Sequence, residues 1–167
     1  QLQPAIDDLT QRKYTVVRAG YYDDTEGDGY YSIMKCSEDD RSFLDLFIQK
    51  VSSFSICGDS GIAFIPWVFR TPILYHNFIP MDESPVVEKG VVLPKLLRRK
   101  SDEMIMSLEE IRCCKRRLVY FERGKMHDKM AASDSFQNQD QYDAEGIEVV
   151  NNTREEIVNG VQEVELY

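Results

Sequence analysis

At 167 residues, 43% hydrophobic and 29% charged, the chain has the length of one ordinary domain and enough apolar side chains to bury a core. Its net charge of −9 argues against nucleic acid as a partner, and no apolar run approaches membrane-spanning length, so no transmembrane segment is expected. Gln1 to Arg12 lacks the charged start and apolar middle of a signal peptide. Cys36, Cys57, Cys113 and Cys114 show no metal-type spacing and make a poor disulfide framework, which favours a reducing, cytoplasmic location.

The chain begins without methionine inside a helical pattern, which makes a fragment of a longer protein the expectation. Ala5, Ile6 and Leu9 predict a helix to Gln11 or Arg12, and Tyr14-Thr15-Val16-Val17 predicts a buried strand ended by Arg18-Ala19-Gly20. Tyr21 to Asp40, with seven acids and one lysine, reads as a loop. Asp40 caps a predicted helix on which Phe43, Leu44, Phe47, Ile48 and Val51 form one broad apolar face. A strand over Phe54-Ser55-Ile56-Cys57 runs into Gly58-Asp59-Ser60-Gly61 and a second apolar run, Ile62 to Phe69, where Pro66 forces a kink or a late helical start. Thr71-Pro72 stops that helix, Ile73-Leu74-Tyr75 forms the next strand, and Asn77 to Leu93 reads as irregular. Ser107 with Glu110 and Thr153 with Glu156 have capping-box form and start two further helices, the second turning Ile157, Val161 and Val164 inward. Before it, residues 131–146 read as a polar surface loop and Ile147-Glu148-Val149-Val150 as a short strand. This order is that of a parallel sheet covered by helices on both faces, a three-layer α/β/α arrangement whose ligands bind beyond the carboxyl ends of the strands.

Gly58-Asp59-Ser60-Gly61 is the chemical centre of that pattern. A strand that turns directly into a helix leaves N–H groups free at the helix start, where the dipole favours an anion such as phosphate. The same four letters surround the nucleophile of trypsin-like proteases, but that chemistry needs a histidine and an aspartate ahead of the serine, and His76 and His127 both follow Ser60. A purely structural reading makes Ser60 an N-cap and Asp59 a turn-bonding residue. Charge is unevenly placed: residues 131–167 hold nine acids against one base, and residues 89–130 hold twelve bases against six acids. A phosphate ligand of so acidic a chain needs a local cation, and Arg18, Lys95 and Arg98 are the candidates. Arg18 also suits a strand-end ion pair with Asp45 or Asp59, and His76 suits either packing or contact with a nucleobase.

The placed residues resemble the C-terminal part of a bacterial family of proteins assigned as glycosyltransferases. The likeness runs through Pro4-Ala5-Ile6, Val16-Val17-Arg18-Ala19-Gly20, Phe43-Leu44-Asp45, Gly58-Asp59-Ser60-Gly61, Asn77-Phe78-Ile79-Pro80, Leu93-Pro94-Lys95-Leu96, Ser107 to Ile111 and Gly146 to Thr153. More distantly, Asp59-Ser60-Gly61 resembles the Asp-Thr-Gly donor loop of heptosyltransferases and other two-lobed, GT-B type enzymes. The histidine of that pattern is Phe64 here, so its role does not carry over.

The resemblance implies a single Rossmann-like lobe over residues 1–167 that binds a nucleotide-sugar, as substrate and not as cofactor, and transfers the sugar to a glycan or lipid-linked acceptor. The donor diphosphate would lie on Gly58, Asp59, Ser60, Gly61 and Ile62, with Arg18 as cation, His76 near the base and no metal. The acceptor and catalytic base would belong to an N-terminal lobe outside this chain, and the location would be cytoplasmic, peripheral to the inner membrane. The alternative is a non-catalytic Rossmann-like binding or assembly module.

Overall fold

The computed structural model describes residues 2–20, 28–58, 60–79, 88–115, 121–122, 125–126 and 139–167, with backbone alone at 112–115, 121–122, 125–126 and 139–141. The chain is a mixed α/β protein with short parallel strand pairs, and it divides into two compact units. In chain order the elements are helix α1 (Gln3–Gln11), strands β1 (Val17–Arg18) and β2 (Tyr31–Ser32), helix α2 (Glu38–Val51), strand β3 (Ser55–Cys57) and helix α3 (Phe64–Phe69). Strands β4 (Ile73–Phe78), β5 (Gly90–Pro94) and β6 (Leu96–Arg99), helix α4 (Leu108–Lys115) and strands β7 (Phe121–Glu122) and β8 (Lys125–Met126) follow. Helix α5 (Gln139–Ala144), strand β9 (Ile147–Val150) and helix α6 (Arg154–Val164) complete them.

The first unit comprises residues 1–78, 85–93 and 152–167. Its sheet has the order β3-β4-β5, with β3 and β4 parallel in the register Ser55↔Ile73, Ile56↔Leu74 and Cys57↔Tyr75. β1 and β2 form a separate parallel pair. Alternation along β4 builds two cores at once. Leu74, fully buried, joins Ala5 and Leu9 of α1, Val91 of β5 and Ile157, Val161 and Val164 of α6. Ile73 and Tyr75 instead join Cys57, Ala63 and Phe78. Gly160 permits the first core to close: a Cβ there would stand 2.9 Å from Leu74 Cδ1 and 3.0 Å from Leu93 Cδ1, inside van der Waals contact.

Several elements differ from the expectation, each for a local reason. α2 is capped by Ser37, whose Oγ accepts from the Asp40 N–H at 3.2 Å and donates to Asp40 Oδ2 at 2.6 Å, so Asp40 lies inside the first turn. Within the stretch read as a loop, the short run Tyr31–Ser32 pairs with β1, its strand character hidden among the surrounding acids. β5 likewise emerges from the stretch read as irregular, where Val91, Val92 and Leu93 supply the apolar run. α3 starts late, after a 3₁₀ turn over Gly61–Ala63, which leaves Pro66 in its first turn where a missing N–H costs nothing. The predicted apolar face of α2 is covered only in part: Leu44 and Ile48 are half-buried and Phe43, Phe47 and Val51 are exposed, while the buried residue is Gln49. Gln49 earns that place by bonding, accepting from Ser55 Oγ on its side chain and from Thr71 Oγ1 on its carbonyl, both at 2.8 Å.

The second unit comprises residues 79–84 and 94–151. Here β9 pairs antiparallel with β6 in the register Leu96↔Val150 to Arg99↔Ile147, so it does not extend a parallel sheet. Leu97, Met106, Tyr142 and Ile147 form its core. Part of the predicted 131–146 loop is therefore the helix α5, anchored by buried Tyr142, and residues 131–138 lie outside the described residues. The expected Ser107–Glu110 box is present, with Ser107 N–H donating to Glu110 Oε2 at 2.7 Å and Glu110 N–H to Ser107 Oγ at 3.3 Å. The Thr153–Glu156 box at the start of α6 in the first unit is present too. Among the described residues no helix is long and apolar enough to cross a membrane.

Leu74→Ala should leave a cavity that Gly160 cannot fill, lowering stability by about 2–5 kcal/mol. Urea denaturation should show this as a lower midpoint with an unchanged slope.

Candidate functional site

A cleft of about 750 Å³ opens in the first unit, within the size range of small-molecule sites. It is lined by residues of α1, by the run from Tyr14 to Ala19, by Ser52 to Gly58 and by Ser60, Ile62 and His76. The structure thus brings Arg18, Gly58, Ser60, Ile62 and His76 to one cavity. Gly61 is exposed and outside the lining, with open space where a Cβ would stand, and Asp59 lies outside the described residues. The other two candidate cations belong to the second unit, where Arg98 pairs with Glu148 at 2.8 Å.

The strand ends meet through glycines. Gly20 has φ +91°, a conformation that side-chain-bearing residues rarely adopt, and a Cβ there would touch Ile62 Cδ1 at 3.4 Å. Asp45 Oδ1 accepts the Gly20 N–H at 2.8 Å, so this carboxylate fixes the end of β1. Arg18 Nη1 donates to the Tyr30 hydroxyl at 3.2 Å, and its guanidinium carbon lies 5.7 Å from the centre of the Tyr30 ring. Among the described residues lining the cleft, Arg18 is the one charged side chain.

Ser60 is extended, at φ −153° and ψ 156°, and its hydroxyl makes no capping bond; its carbonyl accepts the Ala63 N–H at 3.0 Å. The structural reading of Ser60 as a hydroxyl N-cap therefore does not hold. The turn is anchored from the neighbouring strand, where the Tyr75 hydroxyl donates to the Ala63 carbonyl at 2.8 Å. Burial, and then the neighbouring Cys57, push the Tyr75 phenol up to about 12, so it stays an O–H donor at neutral pH. Burial also pushes the Cys57 thiol up to about 12, which makes it an inert filler and no nucleophile.

His76 is positioned by an asparagine pair. Asn77 N–H donates to Asn152 Oδ1 at 2.5 Å and Asn152 N–H to Asn77 Oδ1 at 2.6 Å, with Asn77 at φ +52°, which asparagine tolerates. With its oxygen engaged, the Asn77 amide turns its nitrogen toward His76 Nδ1, 3.1 Å away. Nδ1 then accepts, and Nε2 carries the proton of the neutral ring. Nε2 borders Gly58, where a Cβ would stand 3.8 Å from it. Burial holds His76 below its ordinary value of 6.5.

Among the described residues no cluster of three or more His, Cys, Asp or Glu side chains is placed to hold a metal ion. Neither a protein-family model, nor a curated protein, nor a solved structure matches this chain. Sequence reasoning missed Tyr30 and the Tyr75 hydroxyl, whose partners lie across the fold; Asp45, expected at this strand end as a partner of Arg18, is found there accepting the Gly20 N–H.

Tyr75→Phe should leave the Ala63 carbonyl without its partner and lower stability by about 1–3 kcal/mol, measured by thermal melting. Because the folded-state value of His76 is depressed, the unfolded chain binds the extra proton first. Its contribution is present above 6.5 and lost as pH falls through the folded value. His76→Gln should flatten the fall in melting temperature between about pH 7.5 and 5.5.

Proposed function

We propose that this chain is a nucleotide-sugar binding lobe of a glycosyltransferase, Rossmann-like in its arrangement, and that the cleft receives the donor diphosphate. The observation that carries this reading is the charge of the lining: one guanidinium and no carboxylate among its described residues, in a chain of net charge −9. Ser60 adds a hydroxyl that caps no helix, and the N–H groups of Gly61 and Ile62 have no partner among the described residues. The His76 Nε2–H offers one more donor. These groups suit an anion beyond the carboxyl end of β3, the side on which ligands of parallel sheets bind.

In transfer, the bond between the anomeric carbon and the diphosphate oxygen breaks and negative charge grows on that oxygen. Arg18 and the turn donors would stabilise that charge, each charge-assisted bond contributing about 1.5–3 kcal/mol. The second reading is a non-catalytic binding module, which needs the anion-binding cleft alone.

Calorimetric titration should detect nucleoside diphosphates and show weaker binding of the matching nucleosides. Arg18→Ala should weaken diphosphate binding about 10–100-fold, and Ser60→Ala by a smaller factor. If no nucleoside diphosphate binds, both readings of the cleft as a nucleotide site fail. Binding of a nucleoside diphosphate without any sugar transfer would leave the module.

A further inference from the structure

The first unit carries an exposed apolar surface on α2 and α3, separate from the cleft. Phe43, Leu46, Phe47 and Val51 of α2 and Phe64, Trp67, Val68 and Phe69 of α3 are each between 40% and 74% exposed. Phe43 stacks on Phe47 at 5.4 Å on α2, and Phe64 lies 6.0 Å from Trp67 on α3, so each helix presents a pair of neighbouring rings. At roughly 200 Å² for a whole aromatic side chain, the exposed parts of these eight residues come to roughly 800 Å², above the largest patch usual on a monomer. Counted on both sides of a two-fold contact, that is about 1,600 Å², the area of a standard stable interface.

We propose that this face is the interface with a second copy of the same chain, with the two α2 helices packed antiparallel. Asp39, Phe43, Leu46 and Lys50 recur at spacings of four, three and four residues, the seam along which one helix meets another. All four are exposed. A two-fold axis midway between Phe43 and Leu46 sets each Phe43 against the second copy's Leu46 and each Asp39 against the second copy's Lys50. The apolar centre is then closed at both ends by opposite charges. Lys50 is held at its end of the seam by the Phe69 ring, 5.8 Å from its ammonium to the centroid. A lipid surface fits less well, because Glu38, Asp39 and Asp40 crowd one end of the seam and the whole chain is acidic, so anionic headgroups would be repelled.

Sedimentation velocity of the 167-residue chain, from about 1 to about 100 μM, should show a reversible monomer–dimer equilibrium. Leu46→Arg should give monomer throughout that range with circular dichroism unchanged and a melting temperature equal to that of the wild-type chain at the lowest concentration, since the residue lies outside the core. Asp39→Lys and Lys50→Asp should each weaken the dimer about tenfold or more, and the double exchange should restore it, because opposite charges face again. This charge exchange reads the interface even if Leu46→Arg disturbs folding. A chain that stays monomeric at 100 μM, a dimer indifferent to Leu46→Arg, or a double exchange no better than the single variants would each overturn the proposal. So would monomeric chain sedimenting with vesicles containing phosphatidylserine.

Discussion

The close approach of α6 to β4 governs the rest of the first unit. Gly160 leaves no side chain on the helix face opposite Leu74 and Leu93, so the helix seats directly on the sheet. Seating Leu74 inward fixes the phase of β4, because neighbouring side chains on a strand point to opposite faces. Ile73 and Tyr75 must then face the second core, where Tyr75 reaches the Ala63 carbonyl and steadies the turn after β3. His76 returns to the Leu74 side and borders Gly58. A slip of one residue would exchange the two faces and dismantle both the core and the cleft.

The polar anchors around this core share a pattern. Gln49, the Asn77–Asn152 pair and Asp45 each bond to backbone or to a neighbouring side chain where helix ends and strand ends meet. Buried polar groups are tolerated when bonded, and here they fix junctions that apolar packing alone would leave free to slide. Asn77, Asn152 and Gly20 therefore have structural work of their own.

Much of the secondary structure was legible because it is written locally. Helical spacing marked α1 and α6, capping boxes marked Ser107 and Thr153, and Pro66 announced the late start of α3. What stayed hidden depends on distant partners. Tyr31–Ser32 is a strand because β1 lies beside it, and nothing in its acidic surroundings says so. The apolar stripe of α2 obeys a core-facing period yet is only half covered, since periodicity reports an amphipathic helix without naming what covers it. Of the candidate site, the convergence of Arg18, Gly58, Ser60 and Ile62 was legible from strand ends, whereas His76, expected just after its strand, lies inside β4. The support from Tyr30 and Tyr75 was not, because it comes across the fold.

The first core draws α1 from one end of the sequence and α6 from the other, with residues 94–151 of the second unit between them. At about 5–20 residues per second, a ribosome adds the last partners of Leu9 on the order of ten seconds after Leu9 itself. Until then the apolar faces of α1 and β4 have no helix to cover them, and the nascent chain presents bare hydrophobic surface. The second unit takes none of its residues from α6 and can condense earlier. Synthesis of this protein therefore favours an inside-out order, with the interposed segment folded first and the flanking halves closing last, under whatever chaperone shelters them meanwhile.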